Sequence, residues 1–575
     1  MAPNLSLITT LLLVFATAII GGLIARSLKQ STIVGYIVGG FVVGATGIDT
    51  ANRELLEVIS NIGVTLLLFT LGVEFSFHRL RKILRVVSWA ATAQIIFTML
   101  VVLMLLILSG FSLVPSLFIA AAASLSSTAV VVKVLSQRGE LDTVPGEAAT
   151  GWLVTQDLAV IPMMIILPSF VALSAGRGAT MMENLWIILL SLVKAGLVLS
   201  VVIALGRIGL PKFLSLVARI GSRELFLLST VGLVLLSGVT TYALGLSAPL
   251  GAFIAGLLVA ETSQNHAVFA EVRPLRDLFA TIFFVTIGMV LPLPFVYSNI
   301  GFIALLAMFV MAIKLGIVTV LLRYLKYHRK SAFLVAITLT QMSEFGFILS
   351  SEGVRVGALT EREATILAAT TLLTILVSTP LLSRGSELYS TYAATIGGWL
   401  PKIFPEEKKE HMGKEDYPID HHVVLCGYGR VGKYIGRALL MGNIPYLVVD
   451  YNSSVIAHLK SEGIPVVYGD PADKDVLDFA QVDHARAIVI AIPDLHTQEL
   501  IIGHALTLNK KIKIICRTHH EEDQPHLKSL GVQTVIQPEF EAAVTIAERL
   551  LGEYGVEQEG IAGKVSRLKI EHGIG

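Results

Sequence analysis

The sequence predicts a multi-pass α-helical membrane protein that carries a C-terminal α/β domain of the Rossmann type. Its 575 residues are 54% hydrophobic and only 15% charged, with a mean hydropathy of +0.74, a composition typical of integral membrane proteins. Long apolar stretches end near residue 384, and from residue 421 short β-rich runs alternate with helical stretches. The predicted parts are a membrane domain over 1–384, a linker over 385–420, an α/β domain over 421–553 and a polar tail over 554–575.

Thirteen apolar windows are long enough to cross a membrane as helices. In chain order they cover 5–24, 32–48, 57–75, 86–108, 113–135, 147–173, 184–206, 223–240, 245–262, 276–292, 299–322, 331–352 and 363–383. The first six and the last six are related by a shift of seven, so equivalent members would cross in opposite directions, as in the inverted repeats of transporters. Span 2 is rich in glycine, which predicts close packing against another helix.

The distribution of basic residues predicts the orientation of these spans. With thirteen crossings, nineteen lysines and arginines flank the spans on one side and four on the other. Short cytoplasmic loops carry such an excess of positive charge. We therefore predict a protein of the inner (cytoplasmic) cell membrane, with its N-terminus outside and its C-terminal domain in the cytosol. Cys426 and Cys516 both lie in that domain, which fits a reducing compartment.

Two spans carry polar clusters midway along otherwise apolar stretches. Span 5 contains Ser-Leu-Ser-Ser-Thr at 124–128, and span 12 contains the polar segment 338–346 with Gln341, Ser343 and Glu344. Interrupted helices at matching places in inverted halves indicate a transporter's binding site. Their half-helix ends offer dipoles and free carbonyls that hold a cation. The alternative is that the hydroxyl groups bond back to their own helix.

Asp157 is the only ionisable group within the apolar stretch from about 148 to 173, and it lies near the middle of span 6. A carboxylate at that depth is costly and by default marks an ion or proton path. A structural carboxylate that caps a broken helix is the alternative.

Lys314 and Glu344 are also charged groups in the middle of spans. Lys314 lies in span 11, the repeat partner of span 4, and is predicted to be the cationic partner of a midplane carboxylate. Alternatively, its ammonium snorkels about 12 Å toward the cytoplasmic end of the span. For Glu344, a role in the network of the broken helix and a role as an ion ligand fit the sequence equally well.

A single carboxylate that serves two cations would explain ion exchange. Burial favours the neutral acid, whereas a bound alkali ion favours the carboxylate, so that proton and metal ion compete for one group. Counter-transport follows if the empty site does not change sides. Because Gln156 beside Asp157 is neutral, we expect one proton per monovalent cation and an electroneutral cycle.

The polar C-terminal third is predicted to be a doubly wound parallel α/β domain. The expected strands are 422–426, 446–450, 466–468, 487–492, 512–517 and 534–536. Helices are expected to begin near 430, 453, 474, 497 and 523, and a last amphipathic helix covers 539–551. An interfacial helix is expected in the linker, around 389–404.

A glycine-rich turn follows the first strand of this domain and opens its first helix. Its residues are Gly427, Tyr428, Gly429, Arg430, Val431 and Gly432. The G-x-G-x-x-G motif is weak alone but specific between a strand and a helix with an acid, here Asp450, ending the second strand. The three glycines permit the tight turn, the approach of a phosphate and the packing of helix on strand.

The acid that ends the second strand predicts the class of nucleotide. Asp450 can bind both ribose hydroxyls and would repel a 2′-phosphate, which favours NAD(H) or an adenosine nucleotide such as AMP over NADP(H). Asp470 and Arg517 follow two other strands at the edge where such ligands bind. A turn acid and a surface arginine are the alternative explanations for these two residues.

These motifs resemble the cation/proton antiporter-2 family, and among its members the Kef-type potassium/proton antiporters most. The resemblance covers residues 5 to about 540. The motifs that carry it are Ser-Leu-Ser-Ser-Thr-Ala at 124–129, Gln-Asp-Leu-Ala-Val-Ile-Pro at 156–162, His266–Pro274, Phe-Phe-Val-Thr-Ile-Gly-Met at 283–289, Lys314 and Gln-Met-Ser-Glu-Phe at 341–345. It implies a homodimer in which a mobile core domain moves like an elevator against a dimerisation domain.

The resemblance also implies roles for particular residues. Asp157 would be the carrier, with Ser127, Thr128 and the neighbouring backbone as ligands, and Gln156 and Ser126 complete the predicted site. The C-terminal domain resembles the regulator-of-potassium-conductance (RCK), or TrkA-N, module, which implies nucleotide sensing and dimerisation. The stretch Phe-Ala-Glu-Val-Arg at 269–273 departs from the acidic loop of glutathione-gated Kef proteins, so glutathione gating is not predicted.

The predicted function is efflux of K⁺ in exchange for H⁺, regulated by a nucleotide, with Na⁺/H⁺ exchange as the first alternative. A ligand-gated K⁺ channel would need a carbonyl-lined filter, and no Thr-Val-Gly-Tyr-Gly-like loop is found. A membrane-anchored dehydrogenase would need a substrate domain and an acid/base pair, which the isolated His484 and His496 do not supply. The expected partners are a second copy, lipid and nucleotide. Nothing indicates nucleic acid, and the sequence is silent on an ancillary subunit.

Overall fold

The computed structural model describes residues 3–571 except 29, 45–49, 75–76, 142, 176–205, 208, 244–247 and 397–420. Two compact units make up the chain. The first unit comprises 1–132, 148–324 and 335–383, and the second comprises 133–147, 325–334 and 384–575. The second unit therefore contains the C-terminal domain together with two short segments from the N-terminal part of the chain.

Helices α1 to α16 precede the C-terminal domain. They are α1 (Pro3–Ser27), α2 (Thr32–Gly44), α3 (Thr50–Glu74), α4 (Phe77–Leu108), α5 (Leu113–Ser124), α6 (Thr128–Gln137), α7 (Val144–Ala175), α8 (Arg223–Ala243), α9 (Ala248–Ala260), α10 (Asn265–Val290), α11 (Leu293–Ser298), α12 (Ile300–Tyr324), α13 (Arg329–Thr338), α14 (Phe345–Arg355), α15 (Glu361–Ser383) and α16 (Gly385–Ile396). A further helical stretch covers 209–220.

Seven helical segments among the described residues are long and apolar enough to cross a membrane. Three shorter apolar helices accompany them, at Thr32–Gly44, Val58–Val73 and Ala248–Ala260. The predicted span 7 lies outside the described residues, so the count of thirteen stays a prediction. The multi-span helical architecture itself is confirmed.

Both predicted helix interruptions are present. Residues 125–127 separate α5 from α6, and residues 339–344 separate α13 from α14. Both breaks are buried within the protein, where non-helical backbone at membrane depth finds hydrogen-bond partners. The two polar clusters therefore mark broken helices, as the sequence predicts.

Glycines bring α2 into close contact with α10. A Cβ atom added to Gly40 would lie 2.0 Å from the carbonyl oxygen of Val285, and one added to Gly288 would lie 2.0 Å from that of Ile37. Any side chain at either position would therefore collide with backbone. This crossing confirms the predicted role of the glycine-rich second span.

Three boundaries differ from the sequence-based prediction. The segment before span 10 is helical from Asn265 rather than a loop, so that α10 begins about eleven residues before the predicted span. The linker is helical over α16, directly after α15, and its remainder over 397–420 lies outside the described residues. The polar tail forms a helix at Gln558–Glu571.

The C-terminal domain is a six-stranded parallel sheet in the order β3-β2-β1-β4-β5-β6. Its strands are β1 (Val423–Cys426), β2 (Tyr446–Asp450), β3 (Val466–Tyr468), β4 (Ala487–Ile490), β5 (Lys513–Arg517) and β6 (Thr534–Ile536). Its helices are α17 (Arg430–Met441), α18 (Ser453–Ser461), α19 (Lys474–Phe479), α20 (Leu495–Leu508), α21 (Gln524–Ser529), α22 (Pro538–Glu553) and α23 (Gln558–Glu571), and Glu521–Asp523 form a 3₁₀ turn.

This strand order confirms the predicted doubly wound fold. The order reverses between β1 and β4, and ligands of such sheets bind at the carboxyl ends of the strands beside that reversal. The apolar strand residues are buried on both faces, as parallel sheets covered by helices require. Cys426 and Cys516 are buried in this core and form no disulfide.

Candidate ion site and nucleotide site

Asp157 lies on α7 beside the break between α5 and α6. Its side chain is almost completely buried, with 3% of the residue exposed. The Thr128 hydroxyl, in the first turn of α6, donates a hydrogen bond of 2.8 Å to the Asp157 Oδ2 atom. The structure thus brings together the carboxylate and one of the hydroxyl groups that the sequence places with it.

A small cavity with an apolar wall lies beside Asp157. Its volume of about 10 Å³ is close to what one water molecule needs. Apolar residues of α3, α7 and α9 form the rest of its wall, namely Leu68, Leu71, Val160, Ile161, Met164, Leu250 and Phe253. Asp157 is the only charged residue among them.

The Gln156 amide caps the broken helix. Its Oε1 atom accepts a 2.9 Å hydrogen bond from the Ser126 backbone N–H, while its Nε2 atom donates to Gln94 Oε1 at 2.6 Å and to the Ser124 carbonyl at 3.3 Å. The Trp152 indole N–H also donates to Gln94 Oε1, at 3.1 Å. Gln156 therefore holds the backbone of the break, a role that the sequence did not assign to it.

The two breaks are joined to each other through hydrogen bonds. The Ser126 hydroxyl donates to the carbonyl oxygen of Leu339 at 2.8 Å. The Glu344 carboxylate accepts hydrogen bonds from the Ser127 side chain and from the backbone of Ala129. The predicted serines of the first break thus contact the second break instead of Asp157.

Lys314 on α12 is fully buried and binds both breaks. Its ammonium donates to the carbonyl oxygens of Leu125, at 2.6 Å, and of Gln341, at 2.7 Å. The side chain therefore does not snorkel to the end of the helix. Because both hydrogen bonds go to backbone carbonyls, the role of charge partner for Asp157 stays a prediction.

Gln341 and Ser343 lie in the second break. The Ser343 hydroxyl contacts the Glu344 carboxylate at 3.4 Å and accepts a hydrogen bond from the Phe345 N–H. Both polar atoms of the Gln341 side chain are buried without a hydrogen-bond partner among the described residues. Such groups usually bind water or an ion, so Gln341 offers a free ligand beside the carbonyl that Lys314 contacts.

The glycine-rich turn of the C-terminal domain has the predicted geometry. Gly427 has a φ of +89°, a conformation that favours glycine, and a Cβ on Gly432 would lie 2.1 Å from the Gly427 carbonyl. An added Cβ on Gly429 would meet no atom within 4 Å. Packing therefore requires the first and third glycines, whereas Gly429 leaves open space at the N-terminus of α17, where a phosphate binds.

The predicted nucleotide-binding acids are engaged with the protein itself. Asp450 accepts hydrogen bonds from the N–H groups of Tyr428, at 2.7 Å, and Asn452, at 2.8 Å. Burial raises the pKa of its carboxyl, although these hydrogen bonds favour the charged form and lower the pKa. Asp470 Oδ1 accepts from the Ala472 N–H, and the Nε atom of Arg517 is buried with no partner among the described residues.

Two segments from outside the C-terminal domain contact it within the second unit. Lys330 forms an ion pair of 3.1 Å with Asp470 and donates to the Thr497 hydroxyl at 3.0 Å. Arg138 forms an ion pair of 2.7 Å with Asp494. The His328 ring stacks on Tyr451 at a centroid distance of 5.2 Å.

Burial shifts the titration of the acids in this cluster. It raises the pKa of Glu140 to about 7, Asp494 adds to the effect, and the neighbouring Arg138, at 2.9 Å, opposes it. For Asp494 burial acts upward too, but hydrogen bonds from Thr497 and the charge of Arg138 outweigh it, so the pKa lies below its usual value. Glu140 lies between two spans, outside the apolar windows.

The sequence analysis assigned no role in these sites to four residues that the structure places there. Gln94 and Trp152 were treated as ordinary members of their spans, although an amide in the apolar span 86–108 is itself a signal of function. Arg138 and Lys330 entered only as positive charges that orient the chain. Their partners lie far away in sequence, so charge patterning alone could not identify the ion pairs.

Comparison with known proteins decides the family. The model of the family described as "Sodium/hydrogen exchanger, transmembrane" matches residues 14–384, and that of the TrkA-N domain matches residues 423–538. The chain belongs to the sodium/hydrogen exchanger family. The predicted membership of the Kef-type branch of cation/proton antiporters, with an RCK domain, agrees with its relatives.

Two relatives match this family member over most of its length. YbaL of Escherichia coli (strain K12), which its name describes as a candidate cation/proton antiporter, is 30% identical over 95% of this chain and 97% of its own. The glutathione-regulated potassium-efflux system protein KefC of Klebsiella pneumoniae (strain 342) is 27% identical over 96% of this chain and 86% of its own.

A solved structure shares the fold of the membrane part. The sodium proton antiporter MjNhaP1 of Methanocaldococcus jannaschii superposes with a TM-score of 0.51 over 67% of this chain and 99% of its own, at 16% identity. This exchanger is therefore a multi-pass membrane protein with an antiporter fold and a C-terminal Rossmann-like domain. Its relatives are named as transporters.

Proposed function

We propose that this protein exchanges K⁺ for H⁺ across the membrane, with Asp157 as the group that carries either ion. One observation carries the proposal: a buried carboxylate in an apolar stretch accepts a hydrogen bond from the Thr128 hydroxyl at a broken helix, beside a small cavity close to the size of one water molecule. A proton or a dehydrated alkali ion neutralises this carboxylate, so each excludes the other.

The surrounding groups suit one monovalent cation. Gln156 beside the carboxylate is neutral and is held at the Ser126 N–H. We assign the exchanged proton to Asp157 alone, not to Glu344, which accepts hydrogen bonds from Ser127 and Ala129. The Lys314 side chain donates hydrogen bonds at the carbonyl ends of both broken helices, where it offsets the negative ends of their dipoles. One proton per cation follows, and the exchange is electroneutral.

The choice of K⁺ comes from the relatives. KefC is named as a potassium-efflux protein, and another relative, 30% identical over 90% of this chain, is named as a K⁺ efflux antiporter. Exchange of Na⁺ for H⁺ is the second candidate, because the family model and MjNhaP1 both carry sodium in their descriptions. Proton flux in proteoliposomes loaded with K⁺ or with Na⁺ distinguishes these two candidate functions.

The family resemblance supports the remaining parts of this proposal. We infer a homodimer in the inner membrane whose core moves as an elevator, with the N-terminus outside. The grouping of segments 133–147 and 325–334 with the C-terminal domain supports a shared cytoplasmic side for these loops and that domain.

An adenosine nucleotide, NAD(H) or AMP, is the proposed regulatory ligand of the C-terminal domain. The open space at Gly429, the helix N-terminus behind it and the unpartnered Nε atom of Arg517 support an anionic ligand at the carboxyl ends of the strands. Asp450 would bind the ribose while it keeps one hydrogen bond to the turn.

Regulation would reach the ion site along the chain. Arg138 follows α6 directly, and Lys330 is the second residue of α13, so each lies at the far end of a half-helix whose other end forms a break. Both residues pair with acids that follow strands of the nucleotide domain. A nucleotide that binds Asp470 competes with Lys330 and alters how α13 is held.

The test of the carrier compares Asp157→Asn with wild-type protein in proteoliposomes that contain a pH-sensitive dye. We expect Asp157→Asn to lose K⁺- and Na⁺-driven proton flux to the level of empty liposomes, because an amide neither titrates nor neutralises a cation. The exposed Asp277→Asn is the matched control and should transport like wild type. Undiminished flux in Asp157→Asn would contradict the proposal.

Electroneutrality needs a separate measurement. With the ion gradients clamped, an imposed membrane voltage should leave the rate of exchange unchanged. A rate that follows the voltage would refute a one-to-one cycle while leaving Asp157 as the carrier.

A further inference from the structure

A closed chain of hydrogen bonds lies behind the ion site. It runs from the Trp152 indole through the Gln94 amide to the Gln156 amide and ends at the backbone of Ser126. Trp152, Gln94 and Gln156 are all fully buried, so no solvent competes for these groups. The chain links α4 and α7 to the break between α5 and α6.

The donor groups at the two ends of this chain, the Trp152 indole N–H and the Ser126 backbone N–H, fix the orientation of both amides. An indole nitrogen can only donate, so the Gln94 atom that it meets is the acceptor Oε1. The Gln156 atom that also meets this oxygen must then be the donor Nε2, which leaves Gln156 Oε1 for the Ser126 N–H. Turning either amide would set donor against donor or acceptor against acceptor.

The remaining contacts close the chain. The Gln94 Nε2 atom donates to the Ser124 carbonyl at 2.9 Å and to the Thr98 hydroxyl at 3.1 Å. The same carbonyl also accepts from Gln156 Nε2. Every polar atom of the two amides therefore has a partner, and such fully satisfied buried networks hold their members in one arrangement.

The backbone at Ser126, which Gln156 holds by a hydrogen bond, is close in the chain to the group that binds Asp157, the proposed carrier. Ser126 is two residues before Thr128, whose hydroxyl binds Asp157. A shift of the break would therefore move this hydroxyl away from the carboxylate. We propose that Gln94, oriented by Trp152, is a positioning residue of the cation site: it keeps the Gln156 amide on the broken helix and thereby sets the affinity of the site for the cation.

The proposal rests on the proposed exchange function, and it predicts a particular pattern among conservative variants. Gln94→Met removes both hydrogen-bonding functions at similar length and leaves the Trp152 N–H and the Gln156 Nε2 short of an acceptor. Gln94→Glu in its neutral form supplies a carbonyl for those donors and an O–H for the Ser124 carbonyl. Trp152→Phe removes only the donor that orients Gln94.

The experiment measures the apparent Michaelis constant for K⁺ and the maximal rate in proteoliposomes. We expect Gln94→Met to raise the Michaelis constant about tenfold, the scale for one unsatisfied buried hydrogen-bonding group. The maximal rate should change less, because the hydrogen-bond chain affects how tightly the site binds the cation and not how fast the loaded protein moves. Trp152→Phe should raise the constant by a smaller factor, and Gln94→Glu should stay within about twofold of wild type at low pH and worsen as its carboxyl ionises.

The matched control is Thr92→Val, which removes a hydroxyl group from the exposed face of the same helix. An unchanged Michaelis constant in both Gln94→Met and Trp152→Phe would overturn the inference, as would equal damage from Gln94→Met and Gln94→Glu at low pH. If Gln94→Met does not fold, the Michaelis constants of Trp152→Phe and Gln94→Glu still test whether Gln94 is a positioning residue. Wild-type protein without exchange would instead refute the proposed function, which keeps the two failures distinct.

Discussion

Individual residues determine what each site can bind. Asp157 is the only carboxylate in the apolar stretch 148–173, and a charge at that depth predicts an ion or proton path. Gly429 is a different case, since a Cβ added there would meet no atom of the described residues within 4 Å. The space at Gly429 is therefore expected to serve a ligand.

Gly429→Ala tests the nucleotide site without disturbing the fold. A methyl group fits the protein but occupies the approach of a phosphate to the N-terminus of α17. In wild-type protein, AMP or NADH at 100 times its dissociation constant should stabilise the folded state by about 2.7 kcal/mol. We expect Gly429→Ala to lose this stabilisation in a thermal melt. Gly503→Ala, also without a neighbour for the new methyl, is the control, and equal stabilisation in both variants would refute the site.

Glu140 should make the second unit sensitive to pH. Its pKa of about 7 in the folded protein lies above the ordinary value of 4.5, so its contribution to stability is complete below about pH 4.5 and is lost as the pH rises through 7. Glu140→Gln stays neutral throughout. We expect the melting temperature of the variant to exceed that of wild type by roughly 7–14 °C at pH 8 and to match it at about pH 4.

The control for this measurement is an exposed acid of the same unit. Glu557→Gln should melt like wild type at both pH values. A difference between Glu140→Gln and wild type that stays constant from pH 4 to pH 8 would contradict the assignment.

Sequence reasoning found the residues that stand out chemically and missed those that act through a partner. The polar clusters at 124–128 and 338–346 were conspicuous in apolar surroundings. The bond between Gln94 and Gln156 joins two helices that are 62 residues apart, and nothing local encodes it. Lys314 shows the same limit: its depth was predicted, but its carbonyl partners follow from the packing of three helices.

At the scale of elements, close packing and broken helices shape the membrane part. The α2–α10 crossing has backbone against backbone at Gly40 and Gly288, so neither helix can accept a larger residue there. The breaks after α5 and α13 follow a common plan, with carbonyl ends that meet one ammonium. Helix periodicity predicted these elements well, whereas some helix ends differ from the prediction, such as that of α10, which begins at Asn265.

Gly40→Leu tests the importance of this crossing. Its Cβ would lie 2.0 Å from the Val285 carbonyl oxygen, so the helices must separate. We expect a loss of about 1–3 kcal/mol or more in stability, measured as a lower melting temperature in detergent. Gly316→Leu is the control, because an added Cβ meets no atom there. Equal melting of the two variants would show that the crossing is not tightly packed.

At the scale of the whole molecule, the chain combines an exchanger with a nucleotide domain. Segments 133–147 and 325–334 belong to the same unit as that domain, and each continues into a broken helix. The sequence predicted the two domains and the doubly wound parallel sheet. It did not predict this grouping, because the pairing of Lys330 with Asp470 depends on how loops 140 residues apart come together.

Lys330→Met tests whether this pairing transmits regulation. Without the ammonium, nucleotide at Asp470 no longer competes with α13, so the ratio of exchange rates with and without nucleotide should fall to about one. Nucleotide should still raise the melting temperature of the variant. Lys326→Met, an exposed lysine of the same segment, is the control. Regulation that persists in Lys330→Met would contradict this route.

The central claim is that a proton and a cation compete for the Asp157 carboxylate. The most direct measurement is the apparent Michaelis constant of wild-type protein for K⁺ as a function of pH. Competition by one proton predicts a constant that rises toward about tenfold per pH unit on the acid side, with an unchanged maximal rate. A constant that does not depend on pH, with only the maximal rate changing, would contradict the account.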